Sequence, residues 1–212
     1  VAARLSPGVR KVQAEIDPYA AAWQEVNAAA LRATGPLWVV LGDSMAQGIG
    51  ASSYDLGWVG QLRVLLEEAG RRYRVVNLSV YGARVDDVLT RQLPAMRDLE
   101  AVPDLVTVLI GSNDIASRKH RKNLRSNYDT LLRRLPPGAV IASPFRNFGL
   151  GKELNVRIAA EAATRGFRIV NNRNDGGAAS WRGKLSEDHF HPNDAGYAGL
   201  ARTFLEAIQA SS

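Results

Sequence analysis

A chain of 212 residues, 46% apolar and 23% charged, is long enough to bury a substantial core, and no apolar run approaches the ~20 residues that span a bilayer. The absence of cysteine excludes disulfides, a thiol nucleophile and thiolate metal sites. A net charge of +6 favours anionic partners, and it also suits plain solubility in an Arg-rich chain.

Between residues 8 and 33, apolar side chains recur at helical spacing: Val12, Ile16, Tyr19, Trp23 and Val26. Asp17 suits a helix cap and Pro18 a first turn, so the reading is one helix followed by a fresh one from Pro18. Polar residues interrupt the pattern throughout. This suits an N-terminal helical arm, residues 1–35, packed on the domain that follows, rather than a membrane helix.

After Gly35-Pro36 short apolar runs alternate with amphipathic stretches. The runs 37–41, 74–78, 105–110, 139–142 and 167–170 read as strands. The first three are nearly continuous in Val, Leu and Ile, as strands buried on both faces are. Helical patterns fall at 58–69, 85–93, 121–135, 152–165 and 193–210. Regular alternation predicts an α/β fold, a three-layer sandwich around a five-stranded parallel sheet, as one domain over residues 36–212. The irregular stretch 172–187 is long for a compact domain, and loops of that length often serve as lids or site walls.

Several strand ends carry residues able to do chemistry. Ser44 follows the first strand in Leu41-Gly42-Asp43-Ser44-Met45, where open α/β sheets place their ligands. A serine nucleophile needs a base within hydrogen-bond reach, and the histidines are His120, His189 and His191. His191 lies in Asp188-His189-Phe190-His191-Pro192, with Pro192 suited to the first turn of the last helix. A turning segment would let Asp188 meet the His191 imidazole, fix its tautomer and stabilise its cation. A polar helix cap explains the same residues, and so does a metal site of Asp188, His189 and His191, although no second His/Glu cluster completes one. The third strand ends in Gly111-Ser112-Asn113-Asp114, where the Asn113 amide could face a developing oxyanion. The second leads to Tyr81-Gly82, where Gly82 could offer a bare backbone N–H. Turn chemistry alone also accounts for each of these.

Taken together, a Ser, a Gly and a Gly-x-Asn-Asp after three successive strands, then Asp-x-x-His-Pro before the last helix, resemble the SGNH hydrolases, the GDSL esterase/lipase superfamily. The resemblance covers residues 37 to about 208, with Met45 where the family usually has Leu. It implies a flavodoxin-like strand order, 2-1-3-4-5. It implies Ser44 as nucleophile, His191 as base and Asp188 as its partner, with an oxyanion hole from the N–H groups of Ser44 and Gly82 and the Asn113 amide. It implies ester hydrolysis or acyl transfer without a cofactor or metal, and it does not fix the substrate.

A basic cluster follows the Asn113 block: Arg118, Lys119, His120, Arg121, Lys122 and Arg125. Cations at a helix N-terminus oppose its dipole, which points to a use such as binding phosphate or carboxylate. Arg118, Lys119, Arg121 and Lys122 are therefore candidate substrate-binding residues. Among apolar residues beside the motifs, Met45, Ile49, Trp58, Phe145, Phe148 and Trp181 could line an acyl pocket, and Met45 and Trp181 are candidate substrate-binding residues. Three functions stay open: hydrolysis of small or medium acyl esters; acyl transfer from an anionic donor such as acyl-CoA to a sugar-like hydroxyl; and an inactive binding protein on the same scaffold. The partners are then small molecules, with no nucleic acid and no integral membrane association. No charged-then-apolar leader opens the chain, so residence in the cytoplasm is the expectation, with an export signal upstream of Val1 left open.

Overall fold

The computed structural model describes residues 6–142, 149–171 and 181–210. Two helices come first, α1 (Pro7–Ala14) and α2 (Ile16–Arg32), then β1 (Leu37–Gly42) and the short α3 (Ser44–Gln47). The chain continues through α4 (Trp58–Glu68), β2 (Arg74–Asn77), α5 (Val85–Asp87), a π-helical turn (Val88–Gln92) and α6 (Leu93–Arg97). It ends with β3 (Leu105–Leu109), α7 (Ser112–Ala116), α8 (Arg121–Arg134), β4 (Val140–Ala142), α9 (Leu150–Arg165), β5 (Arg168–Val170) and α10 (Asp194–Gln209). The five strands form one parallel sheet in the order β2-β1-β3-β4-β5.

Every residue of β1 is buried, because its two faces meet two different cores. Leu37, Val39 and Leu41 join Val85, Leu93, Leu124, Leu131, Leu154 and Ile158 from α5, α6, α8 and α9. Trp38 and Val40 join Trp23, Trp58, Leu62, Tyr197 and Phe204 from α2, α4 and α10. The period-2 alternation of a strand sorts adjacent residues onto opposite layers, which is why this strand reads as an unbroken apolar run. Trp58 stacks on Phe204 with ring centroids 4.1 Å apart, and Trp38 Nε1 donates to Thr107 Oγ1 at 2.8 Å. Because β1 lies between β2 and β3, the order reverses at its carboxyl end and opens a crevice there.

Local differences from the sequence reading have physical causes. The second helix starts at Ile16, so Asp17 and Pro18 occupy its first turn and Asp17 is not the cap. Asn193 caps α10, its Oδ1 accepting from Gly196 N at 3.1 Å, so Pro192 precedes the cap instead of opening the helix. The helical run from Val85 does not stop before Pro94 but passes it through the π turn and reaches Arg97. A wider turn removes the clash between a proline ring and the carbonyl one turn back. Ile49 and Trp58 are wholly buried, the latter in the α4–α10 core, so neither faces an acyl pocket. Phe145 and Phe148, and residues 172–180 of the irregular stretch, lie outside the described residues.

Candidate active site

Ser44 is the first residue of α3, directly after β1, and is 4% exposed. The turn that presents it is tightly specified. Asp43 caps α3, its Oδ1 accepting from Met45 N at 3.1 Å. Gln92 from the π turn holds Gly42 from both sides: its Oε1 accepts from Gly42 N at 2.9 Å and its Nε2 donates to Gly42 O at 2.8 Å. A Cβ at Gly42 would lie 2.7 Å from Leu109 O, so a bare backbone is needed where β1 passes β3.

The His191 imidazole meets Ser44 across 147 residues of sequence, with Nε2 2.9 Å from Ser44 Oγ. On its other side, Nδ1 lies 2.6 Å from Asp188 Oδ2. The segment between them is a hydrogen-bonded loop. Asp188 Oδ1 accepts from the backbone N–H groups of Phe190 and His191 and from Ser186 Oγ, at 2.8–3.0 Å. Ser186 N donates to His191 O, and Leu185 bridges Pro192. Burial opposes charge on Asp188, yet its bonds from His191, Phe190 N–H and Ser186 outweigh it and hold the carboxyl down at about 2. For His191, burial outweighs the pull of Asp188 and lowers the imidazole below its ordinary value. A neutral imidazole facing a hydroxyl, backed by a carboxylate, can accept a proton at neutral pH.

Gly82 has φ +72° and open space where a Cβ would stand. Its neighbour Tyr81 lies with its ring centroid 6.4 Å from that of His191. Asn113, in α7, donates from Nδ2 to Ala83 O at 2.9 Å, and Asp114 Oδ2 accepts from Val85 N at 3.1 Å. The Asn-Asp pair therefore fastens the Gly82 loop to the end of β3. Burial pushes Asp43 up to about 7 and Asp114 up to about 6.

Beside this centre is a cavity of about 650 Å³ with Met45, Ile115, Trp181, Phe190, Pro192 and Arg121 among its walls. Two of the candidate substrate residues, Met45 and Trp181, are thus on it, as is Arg121, whose Nε donates to Ile115 O at 2.6 Å. Arg118, Lys119 and Lys122 are exposed and do not line it, and Arg125 pairs with Glu153. His189 lines it too, in a left-handed conformation of φ +56°. Among the described residues no group of three His, Cys, Asp or Glu side chains is placed to hold a metal ion. Sequence reasoning missed Gln92, and the second fastening role of Asp114. Nothing local marks either, since each acts on a backbone group distant in sequence.

The model of the GDSL-like lipase/acylhydrolase family matches residues 40–198. Esterase TesA of Pseudomonas aeruginosa is 37% identical over 92 residues, which are 42% of this chain and 44% of that protein, so the match spans under half of the relative's length. A crystal structure of TesA superposes with a TM-score of 0.62 at 26% identity, covering 82% of this chain and 98% of that one. An acetylxylan esterase from Geobacillus stearothermophilus shares the fold, with a TM-score of 0.62 at 21% identity over 83% of this chain and 95% of its own.

Proposed function

The chain belongs to the GDSL-like lipase/acylhydrolase family, and from that premise we propose that it is a serine ester hydrolase working through an acyl-Ser44 intermediate. The observation that carries this reading is the continuous line from Ser44 Oγ through His191 to Asp188, at 2.9 and 2.6 Å. In the proposed first step His191 Nε2 takes the Ser44 proton as Oγ attacks the acyl carbonyl. The negative charge on the carbonyl oxygen meets the N–H groups of Ser44 and Gly82 and the Asn113 amide. His191 then gives its proton to the departing alcohol. Water, deprotonated by the same imidazole, releases the acid. Asp188 stays ionised throughout, keeping the imidazole oriented and stabilising its cation. The apolar walls at Met45, Ile115 and Phe190 suit a small or medium acyl group.

The test is direct. A fluorophosphonate should label Ser44, and Ser44→Ala should abolish hydrolysis of short acyl esters while melting normally. Labelling at another residue, or full turnover by Ser44→Ala, would overturn the assignment.

A second reading, acyl transfer from an anionic donor to a sugar-like hydroxyl, is favoured by Arg121 at the cavity, within a run that also carries the exposed Arg118, Lys119 and Lys122. Mass analysis of products with and without added polyols separates the two, since only transfer yields the acylated polyol.

A further inference from the structure

The N-terminal arm lies outside the family match, yet it reaches the segments that carry the site. From α2, Trp23 Nε1 donates to Gln47 O and Tyr19 Oη to Ala51 O, gripping the turn that follows Ser44. Asn27 brackets Asn77 at the end of β2, donating to its carbonyl and accepting from its N–H. From α1, Lys11 pairs with Glu187, and the backbone of Gly8 abuts that of Glu187 so closely that a Cβ would overlap its carbonyl.

Glu15 stands at the junction of these two helices. Its Oε2 accepts from Gly50 N at 2.8 Å. Gly50, at φ +96°, lies so near the loop of the proposed base that a Cβ would stand 2.7 Å from both His191 Cβ and Pro192 O. The backbone of Gly50 is thus a wedge between Glu15 and the His191 segment.

We propose that Glu15 is a positioning residue: by holding Gly50 against His191 it keeps the imidazole within reach of Ser44 Oγ. This rests on the proposed roles of Ser44 and His191. The bond needs an acceptor, not a charge. Burial raises the Glu15 carboxyl above its ordinary value, so the ionised form is disfavoured in the fold and its contribution to stability falls as pH rises. Glutamine keeps the acceptor and removes that penalty.

The experiment compares Glu15→Ala and Glu15→Gln with wild type, well below their melting temperatures. Glu15→Ala should lower kcat about 10-fold for a neutral ester, a part of the ~10²-fold that a 1 Å misplacement costs, with KM little changed. Fluorophosphonate labelling of Ser44 should slow by a similar factor. The proton NMR signal of the His191 Nδ1–H should shift or broaden in Glu15→Ala. Glu15→Gln should restore rate and signal. Wild-type speed and an unshifted signal in Glu15→Ala would overturn the proposal, as would a Gln variant as slow as the Ala variant, or a loss confined to KM. If wild type itself is not labelled at Ser44, the hydrolase reading fails instead, and the NMR comparison still decides whether Glu15 orients His191.

Discussion

His191 carries the expected pH response. Its cation cannot accept the Ser44 proton, and its pKa lies below the ordinary value because burial outweighs Asp188. The value of kcat/KM for a neutral ester should therefore hold as pH falls to about 6.5, the unperturbed value, and drop only below it. An acid limb centred at 7 or higher would contradict this. Asp43 predicts a separate effect on stability. Its folded pKa is raised to about 7 from 3.8, so its contribution is whole below about pH 4 and is lost as pH climbs through 7. Asp43→Asn keeps the acceptor for Met45 N and carries no charge. Relative to wild type, it should gain at least about 2–4 °C in Tm between pH 5 and pH 8, the shift one kcal/mol gives at this size. Equal gains at both values would show that the Asp43 pKa is not raised in the fold, the carboxyl being ionised already at pH 5. At this scale the sequence was informative where chemistry dictates residue type. A serine, an imidazole and a carboxylate in the right blocks are few, and all three meet. Gln92 and Glu15 were illegible, because an acceptor for a distant backbone N–H can be any of several side chains anywhere in the chain.

The π turn shows how an element serves a single contact. Pro94 cannot continue an ordinary helix, and the widened turn that admits it carries Gln92, whose side chain reaches Gly42. Gln92→Ala would leave the Gly42 N–H without an acceptor next to Ser44. Denaturant unfolding should show a loss of about 2 kcal/mol or more, the cost of stranding buried polar groups. A loss below ~0.5 kcal/mol would mean the turn relaxes to other partners. All five strands and the long helices were legible, because burial on both faces and 3.6-residue periodicity leave distinct patterns. Their ends were less so. Local cues such as Asp17-Pro18 compete with tertiary contacts, and here Glu15 at the junction is tied to Gly50.

Across the whole molecule, the surplus of basic residues sets a field, and Arg121 places part of it at the cavity, with the exposed Arg118, Lys119 and Lys122 next to it in sequence. Exposed charges are screened within ~8 Å at physiological ionic strength. If these residues draw in an anionic substrate, rising salt should slow hydrolysis of an acyl-CoA and leave an uncharged aryl ester of equal chain length unaffected. Replacing Arg118, Lys119, Arg121 and Lys122 by Gln should raise KM for the charged substrate at near-constant kcat. Equal responses of both substrates would make the cluster a solvated face and remove the main support for acyl transfer. The strand order, read from a resemblance, is the one the sheet adopts, and it has a consequence in time. Ser44 leaves the ribosome 147 residues before His191, and α10, which covers Trp58 and Trp38, comes later still. The nascent chain therefore carries the Ser44 hydroxyl without its proposed base over those 147 residues, while an aromatic layer waits uncovered. If Ser44 and His191 act as proposed, a chain stalled before residue 188 should be inert toward esters and, with Trp38 and Trp58 uncovered, a ready client for chaperones.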